Sequence, residues 1–153
     1  CGLGQKVSWL LRLMSIPGLG ELIYQPGLHD KFGIKRWIFH RPPEFLDELL
    51  PEMSRVRTLP GARTAMLRSV RSSINYRGLR HQWNILYRLR NLSVPLMTVW
   101  GQEDSIIPIS QADAVRDTLP HSIVHTVPDC GHWPQFEDPD TFNRIHIEFL
   151  LKG

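Results

Sequence analysis

Two short apolar runs with a helix between them decide most of what this chain can fold into. "VPLMTVW" (94–100) stops at Gly101 and "SIVHTV" (122–127) stops at Pro128. The first is a near-continuous apolar run bounded by turn residues, the pattern of a buried parallel strand. "SQADAVRDTL" (110–119) between the runs has helical spacing. "PDTFNRIHIEFLLK" after them reads as a closing helix with Pro139 at its head, where a missing N–H does no harm. The order β-α-β-α predicts parallel strands in an α/β unit, because a crossover helix returns the chain to the same direction. Two parallel strands do not make a self-sufficient sheet, since both faces and both edges need cover. The unit is therefore expected to be the end of a larger, incomplete sheet, and the chain a portion of a longer one. Its first residue, Cys1 rather than Met, agrees with that expectation.

Upstream the texture differs. "QKVSWLLRLMS" (5–15) sets Val7, Leu10, Leu11 and Met14 at helical spacing, and "IPGLG" (16–20) punctuates it. "RPPEFLDELLPEMSRV" predicts a second helix with Pro43 near its first position and Glu44 and Asp47 in the first turns, where acids suit the helix dipole. "GARTAMLRSVRSSI" (61–74) predicts a third, with Ala62, Met66, Val70 and Ile74 in one line. The chain thus divides into a helical region, 1–92, and an α/β region, 93–153. At 153 residues, 42% hydrophobic and 22% charged, it is sized for one domain with a core of its own. No apolar run is long enough to span a bilayer. Two cysteines are too few for a disulfide scaffold and suit a reducing compartment, which predicts a cytoplasmic protein.

The chemistry is expected in two loops. "WGQEDSIIP" leaves the first strand carrying Glu103 and Asp104; "PDCGHW" leaves the second carrying His132. In open α/β sheets sites form outside the carboxyl ends of the strands, so neighbouring strands would bring Asp104 and His132 together. A buried carboxylate on one ring nitrogen sets the tautomer and leaves the other nitrogen to take a proton. Glu103 competes for the acid role and is expected to be solvent-exposed instead. Gly131 and Trp133 read as turn geometry and packing, and Cys130 as a small buried residue. His121 and His125 are four apart, but on and before a strand, where that spacing does not chelate. No metal and no cofactor is expected.

These residues resemble the α/β-hydrolase fold family, whose acid lies in a G-x-x-D-x-x-x-P loop (Gly101, Asp104, Pro108) and whose base lies in a G-H-x-x-x-x-E-x-P loop (Gly131, His132, Glu137, Pro139). The acid-before-base order is also the family's. "GHWPQFEDPDTFN" is most similar to the carbon–carbon bond hydrolases of ring-fission products and to related esterases and lipases. The resemblance implies a catalytic triad with Asp104 as acid and His132 as base. It also implies that residues 1–92 form a helical cap or lid, with Trp9, Leu13, Ile23, Tyr24 and Trp133 as candidate substrate-binding residues. One departure is decisive: no G-x-S-x-G occurs, so this chain holds the acid and base but no nucleophile. The nucleophile, Ser in esterases or Asp in dehalogenases and epoxide hydrolases, would come from an N-terminal part of the same protein. This chain alone is expected to be inactive, and its partners to be that part, a small-molecule substrate, and a second copy through the exposed sheet edge.

Between Met53 and Gln102 there is no Asp or Glu but nine arginines, Arg55, Arg57, Arg63, Arg68, Arg71, Arg77, Arg80, Arg88 and Arg90. The alternative function is a non-catalytic relative whose arginine-rich cap binds an anionic partner or membrane surface. Aromatic residues interleave only sparsely and no nucleic-acid module is present, so nucleic acid is not expected as a partner.

Overall fold

The computed structural model describes residues 2–25 and 35–152. In chain order the helical region contains α1 (Trp9–Met14), α2 (Leu19–Ile23), α3 (Leu46–Thr58) and α4 (Ala62–Ser73). A hairpin follows, β1 (Ile74–Asn75) with β2 (Gly78–Leu79), and then two 3-10 turns, His81–Trp83 and Leu86–Asn91. The α/β region contains β3 (Met97–Gly101), α5 (Ser110–Thr118), β4 (Ile123–Val127), α6 (Pro134–Glu137) and α7 (Pro139–Lys152). β3 and β4 are parallel, in register from Met97 opposite Ile123 to Gly101 opposite Val127. Both strands therefore end at the same level, and the two loops that leave them start side by side.

The helices differ from the sequence expectation at their ends. α1 starts only at Trp9, because the Ser8 hydroxyl accepts the Leu11 N–H and caps it there. The residues before it are held otherwise: the Gln5 carbonyl accepts the Leu79 N–H of the hairpin at 2.9 Å. "IPGLG" is a turn whose last two residues open α2. α3 begins three residues after Pro43, whose carbonyl accepts the Leu46 N–H in a turn, and it runs through Pro51 to Thr58. Of the predicted line, Val70 and Ile74 are buried and Met66 is exposed, and Leu67 is buried beside them. The β1–β2 hairpin was not expected at all, since strands of two residues carry no periodicity.

The largest cluster joins the two regions. Val7 and Met14, Leu67 and Val70 of α4, and Ile74 and Leu79 of the hairpin pack with Trp100, Ile107 and Ala112 of the α/β region. The Trp100 indole N–H, buried with its ring, donates to the Ile107 carbonyl at 2.9 Å. α5 buries Ala112 and Val115, and Val115 packs with Leu119 and Leu86. Each buried Leu or Val contributes about 1.5–3 kcal/mol. β3 is only half-buried over Met97–Val99, and Ile123 of β4 is exposed. Such partial cover is what an incomplete two-stranded sheet leaves among the described residues, although the first run was expected as a buried strand.

α2 is tied to α4 by charge. Glu21 accepts the Gly18 N–H at the start of its own helix and takes both terminal nitrogens of Arg71, at 2.6 and 2.8 Å. The hydrogen bond from Arg71 holds the Glu21 carboxyl well below the usual range, at about 2. A depressed carboxyl pKa stabilises the fold above the unfolded value near 4.5, and that contribution is lost as pH falls toward 2. The Glu21→Gln variant should therefore melt at a lower temperature than wild type at pH 7, with the difference shrinking between pH 4.5 and 2, followed by circular dichroism. Cys130 is fully buried with Val127 and Ile145. Burial, reinforced by the charges of Glu137 and Asp138, pushes its thiol up to about 11. Iodoacetamide at pH 8 should leave Cys130 unmodified in the folded chain and alkylate it in denaturant, read by peptide mass spectrometry.

Candidate active site

The loop after β3 folds around its own acid. The Asp104 N–H donates to the Gly101 carbonyl in a turn, and Oδ1 of Asp104 accepts the N–H groups of Ile106 and Ile107, each at 2.8 Å. A short side chain that accepts amides two and three residues on closes the loop locally, as Asp does in turns. That leaves Oδ2, which lies 2.8 Å from Nδ1 of His132. The Asp104 side chain is 5% exposed and that of His132 27%. The carboxylate only accepts, so the contact assigns the Nδ1 proton to the ring and leaves the Nε2 lone pair as the base. The acid is fixed and dry; the base is half in contact with solvent.

The second loop can reach the first because Gly101 has no Cβ at the crossing, and residues 38–40 can reach the second because Gly131 has none. A Cβ on Gly101 would stand 1.9 Å from the Gly131 carbonyl oxygen and 2.4 Å from that of Cys130. A Cβ on Gly131 would meet the Ile38 carbonyl oxygen at 2.6 Å. Asp129, at φ 55°, turns the chain through the left-handed region just before, a conformation that Asp tolerates better than most residues. Glu103, expected to point to solvent, is half-buried instead, and its Oε2 accepts the Cys130 N–H at 3.0 Å. Trp133 packs edge-on against Phe39, with centroids 5.4 Å apart, and against Phe136 at 5.7 Å.

Beside the pair lies an apolar cavity of about 370 Å³. Ser105 and Ile106, the two residues after Asp104, form one wall. Ile38, whose carbonyl accepts the His132 N–H at 2.7 Å, belongs to another. Trp9, Ile23 and Tyr24 of the expected substrate-binding set line the cavity; Leu13 and Trp133 do not. α1 presents Trp9, Leu10, Leu11 and Met14 to it, leaving Leu13 outside the lining, and Trp133 is taken up by its aromatic neighbours. The remaining lining includes Trp37, Met53 and Met66, with Arg57 the one charged side chain among the described residues. Arg57 lies over the Tyr24 ring, 5.1 Å from its centroid, and donates from Nε to the Tyr24 hydroxyl at 3.2 Å. These residues come from separate helices and share no sequence motif; the absence of acids between Met53 and Gln102 is the only hint toward Arg57.

Several of the other arginines are engaged locally. Arg55 pairs with Glu52, Arg71 with Glu21, and Arg63 donates to the Glu21 carbonyl. Arg77 and Arg90 lie over the rings of Tyr76 and Tyr87. Among the described residues no three of His, Cys, Asp or Glu converge in a way that could hold a metal ion. Among them, too, no helix is long and apolar enough to cross a membrane.

Comparison with known proteins gives the family of the chain. The family profile described as "alpha/beta hydrolase fold" matches residues 11–139. Over 71 residues, 46% of this chain, the sequence is 32% identical to the 2-hydroxy-6-oxononadienedioate/2-hydroxy-6-oxononatrienedioate hydrolase of Comamonas testosteroni. It is also 32% identical, over 71 residues, to the 2-hydroxy-6-oxo-6-phenylhexa-2,4-dienoate hydrolase of Burkholderia cepacia. Each match covers 25% of the relative's own length. Among solved structures, an alpha/beta hydrolase fold protein from Burkholderia ambifaria superposes with a TM-score of 0.71 at 19% identity, covering 95% of this chain and 52% of that one. The 2-hydroxy-6-oxo-6-phenylhexa-2,4-dienoate hydrolase of a Rhodococcus species gives 0.65 at 16% identity, covering 96% of this chain and 50% of that one. The chain thus spans about half the length of these solved relatives. From β3 and β4 to the loops at their ends, and over 129 of its residues by the profile's bounds of 11 and 139, the chain belongs to the α/β hydrolase fold family.

Proposed function

We propose that this chain carries the acid and base of a serine-dependent hydrolase triad, Asp104 and His132, beside the cavity that receives the substrate. The observation that carries the reading is the 2.8 Å contact between a buried carboxylate and a partly open imidazole at the ends of two parallel strands. In the proposed reaction Nε2 of His132 takes the proton of a serine hydroxyl as its oxygen attacks the substrate carbonyl. Asp104 stabilises the imidazolium, and the proton passes to the leaving group as the bond to it breaks. Water, deprotonated by the same imidazole, then releases the acyl group and restores the serine. The serine belongs to a segment outside these 153 residues, because no serine here has the flanking glycines of the nucleophile turn. Residues 1–92 act as the cap over the site and residues 93–153 as the part of the core that bears the two loops.

The substrate class we favour is that of the relatives named above, 2-hydroxy-6-oxo dienoates, which carry a free carboxylate. An apolar cavity lined by Trp9, Tyr24, Trp37 and aliphatic side chains suits the apolar body of such a substrate. An ester without a carboxylate is the competing substrate. A second reading, a non-catalytic relative that binds an anionic partner, is favoured by Arg77 and Arg90, exposed and stacked on exposed Tyr76 and Tyr87.

The reading frame upstream of Cys1 decides between them: a strand, a G-x-S-x-G turn and a helix support the hydrolase, and an alanine or glycine at the nucleophile position supports the second reading. In the protein that carries the serine, His132→Ala should lower kcat at least about a thousandfold and Asp104→Asn on the order of 10⁴-fold, measured with a ring-fission dienoate. A kcat/KM for a neutral aryl ester as high as that for the dienoate would remove the carboxylate from the proposal.

A further inference from the structure

Three consecutive amides of the base loop are each held by a different acceptor. Cys130 N–H donates to Oε2 of Glu103 at 3.0 Å, Gly131 N–H to Oε1 of Glu137 at 2.7 Å, and His132 N–H to the Ile38 carbonyl at 2.7 Å. Glu137 does more than hold its own loop. Its other oxygen, Oε2, accepts the N–H groups of His40 and Arg41 at 2.7 and 2.6 Å, from a segment nearly a hundred residues away in sequence. One carboxylate thereby binds three backbone donors from two parts of the chain. Only an acceptor with two oxygens and no hydrogen does this without leaving a donor unpaired.

The segment it grips is also a wall of the cavity. Trp37 and Ile38 line the cavity, the Trp37 carbonyl accepts the Ser105 hydroxyl from the acid loop at 2.8 Å, and the Arg41 guanidinium donates to the Asp129 carbonyl at 3.1 Å. Residues 37–41 are thus stapled to both loops, and Glu137 is the side chain through which the base loop holds them. The next residue makes an instructive contrast: Oδ1 of Asp138 accepts only the Thr141 N–H, a plain helix cap at the start of α7.

We propose that Glu137 is a positioning residue: its carboxylate locks residues 37–41 and the Gly131–His132 backbone into one unit, so that the imidazole stays aimed at Asp104 and the cavity wall stays attached to it. Glu137 touches neither substrate nor reacting atoms and acts through His132, so the proposal rests on the reading of Asp104 and His132 as acid and base.

The test uses this chain as it stands and two nuclear magnetic resonance readouts. One is the low-field proton resonance of the Nδ1–H shared by His132 and Asp104, recorded at low temperature. The other is amide hydrogen exchange at His40, Arg41 and Gly131, with Val115, Leu119 and Val127 reporting that the core is folded. In Glu137→Ala the low-field resonance should broaden or vanish, and all three amides should exchange roughly tenfold faster or more, while the core amides hold. Glu137→Gln keeps one acceptor oxygen, so it should restore protection either at Gly131 or at His40 and Arg41, and not at all three. This variant also keeps the test decisive should Glu137→Ala fail to fold. Asp138→Asn removes a neighbouring charge without touching the latch and should leave both readouts at wild-type values. Unchanged resonance and unchanged exchange in both Glu137 variants would overturn the proposal. A wild-type spectrum without the low-field resonance, but with the three amides protected through Glu137, would instead overturn the Asp104–His132 pair on which the positioning role depends.

Discussion

Everything at the site depends on how closely two backbones pass each other where the parallel strands end. Gly101, the last residue of β3, and Gly131, two residues beyond the left-handed turn at Asp129, meet where a single Cβ would collide with a carbonyl. The register of β3 and β4 delivers both chains to that level, and the missing side chain of Gly101 lets them close the remaining distance. Once the loops are in contact, the carboxylate of one and the imidazole of the other fall within hydrogen-bond reach with no long side chain to order. Asp and His are short, so the entropy lost in aligning them is small compared with that of a Lys or Glu in the same role.

The two loops are held by different means, and the difference suits what each has to do. The acid loop is self-contained: two backbone amides occupy one carboxylate oxygen, and the indole of buried Trp100 ties the same loop at Ile107. Asp104 would keep its place whether or not the ring is present. The base loop is held from outside, by Glu103, by Glu137 and by the Ile38 carbonyl. Its geometry therefore depends on the helical region, which reaches it through residues 37–41. A site divided in this way has a rigid anchor and a base whose alignment follows the segment that also walls the cavity.

The α/β region was legible in the sequence because its signals are local. Apolar runs stopped by Gly101 and Pro128 give strands, helical spacing gives α5 and α7, and two spaced motifs single out Asp104 and His132. The helical region was less so. Ser8, Pro43 and Gly18 all mark boundaries, but where each helix starts depends on which carbonyl a given amide finds, and Gln5 finds the hairpin rather than α1. The line Ala62, Met66, Val70 and Ile74 holds at Val70 and Ile74, which reach the core, and departs at Met66, which lines the cavity while Leu67 is buried. Leu13 and Trp133 were reasonable as apolar residues near the site, yet apolar character does not say which neighbour a ring or branched chain will meet. Glu103 and Glu137 were visible as charges; that each would spend its charge on backbone amides is a property of the folded loops, with no counterpart in spacing.

The pairing of a dry acid with a partly open base also bears on how the cavity and the chemistry are joined. A histidine that must take a proton and give it back needs one nitrogen fixed and the other accessible, and it gains from a carboxylate that solvent cannot screen. Burying Asp104 to 5% exposure would be costly for an unpaired charge, but two amides and an imidazole surround it, so each lone-pair direction that matters is met. His132 stays more open, with 27% of its side chain exposed. The cavity that begins at Ser105 and Ile106 thus opens from the very residues that satisfy or adjoin the acid. A change in the cavity wall would reach the Asp104–His132 pair through one turn of backbone, and that short path is the physical reason for treating the helical region and the loops as one unit.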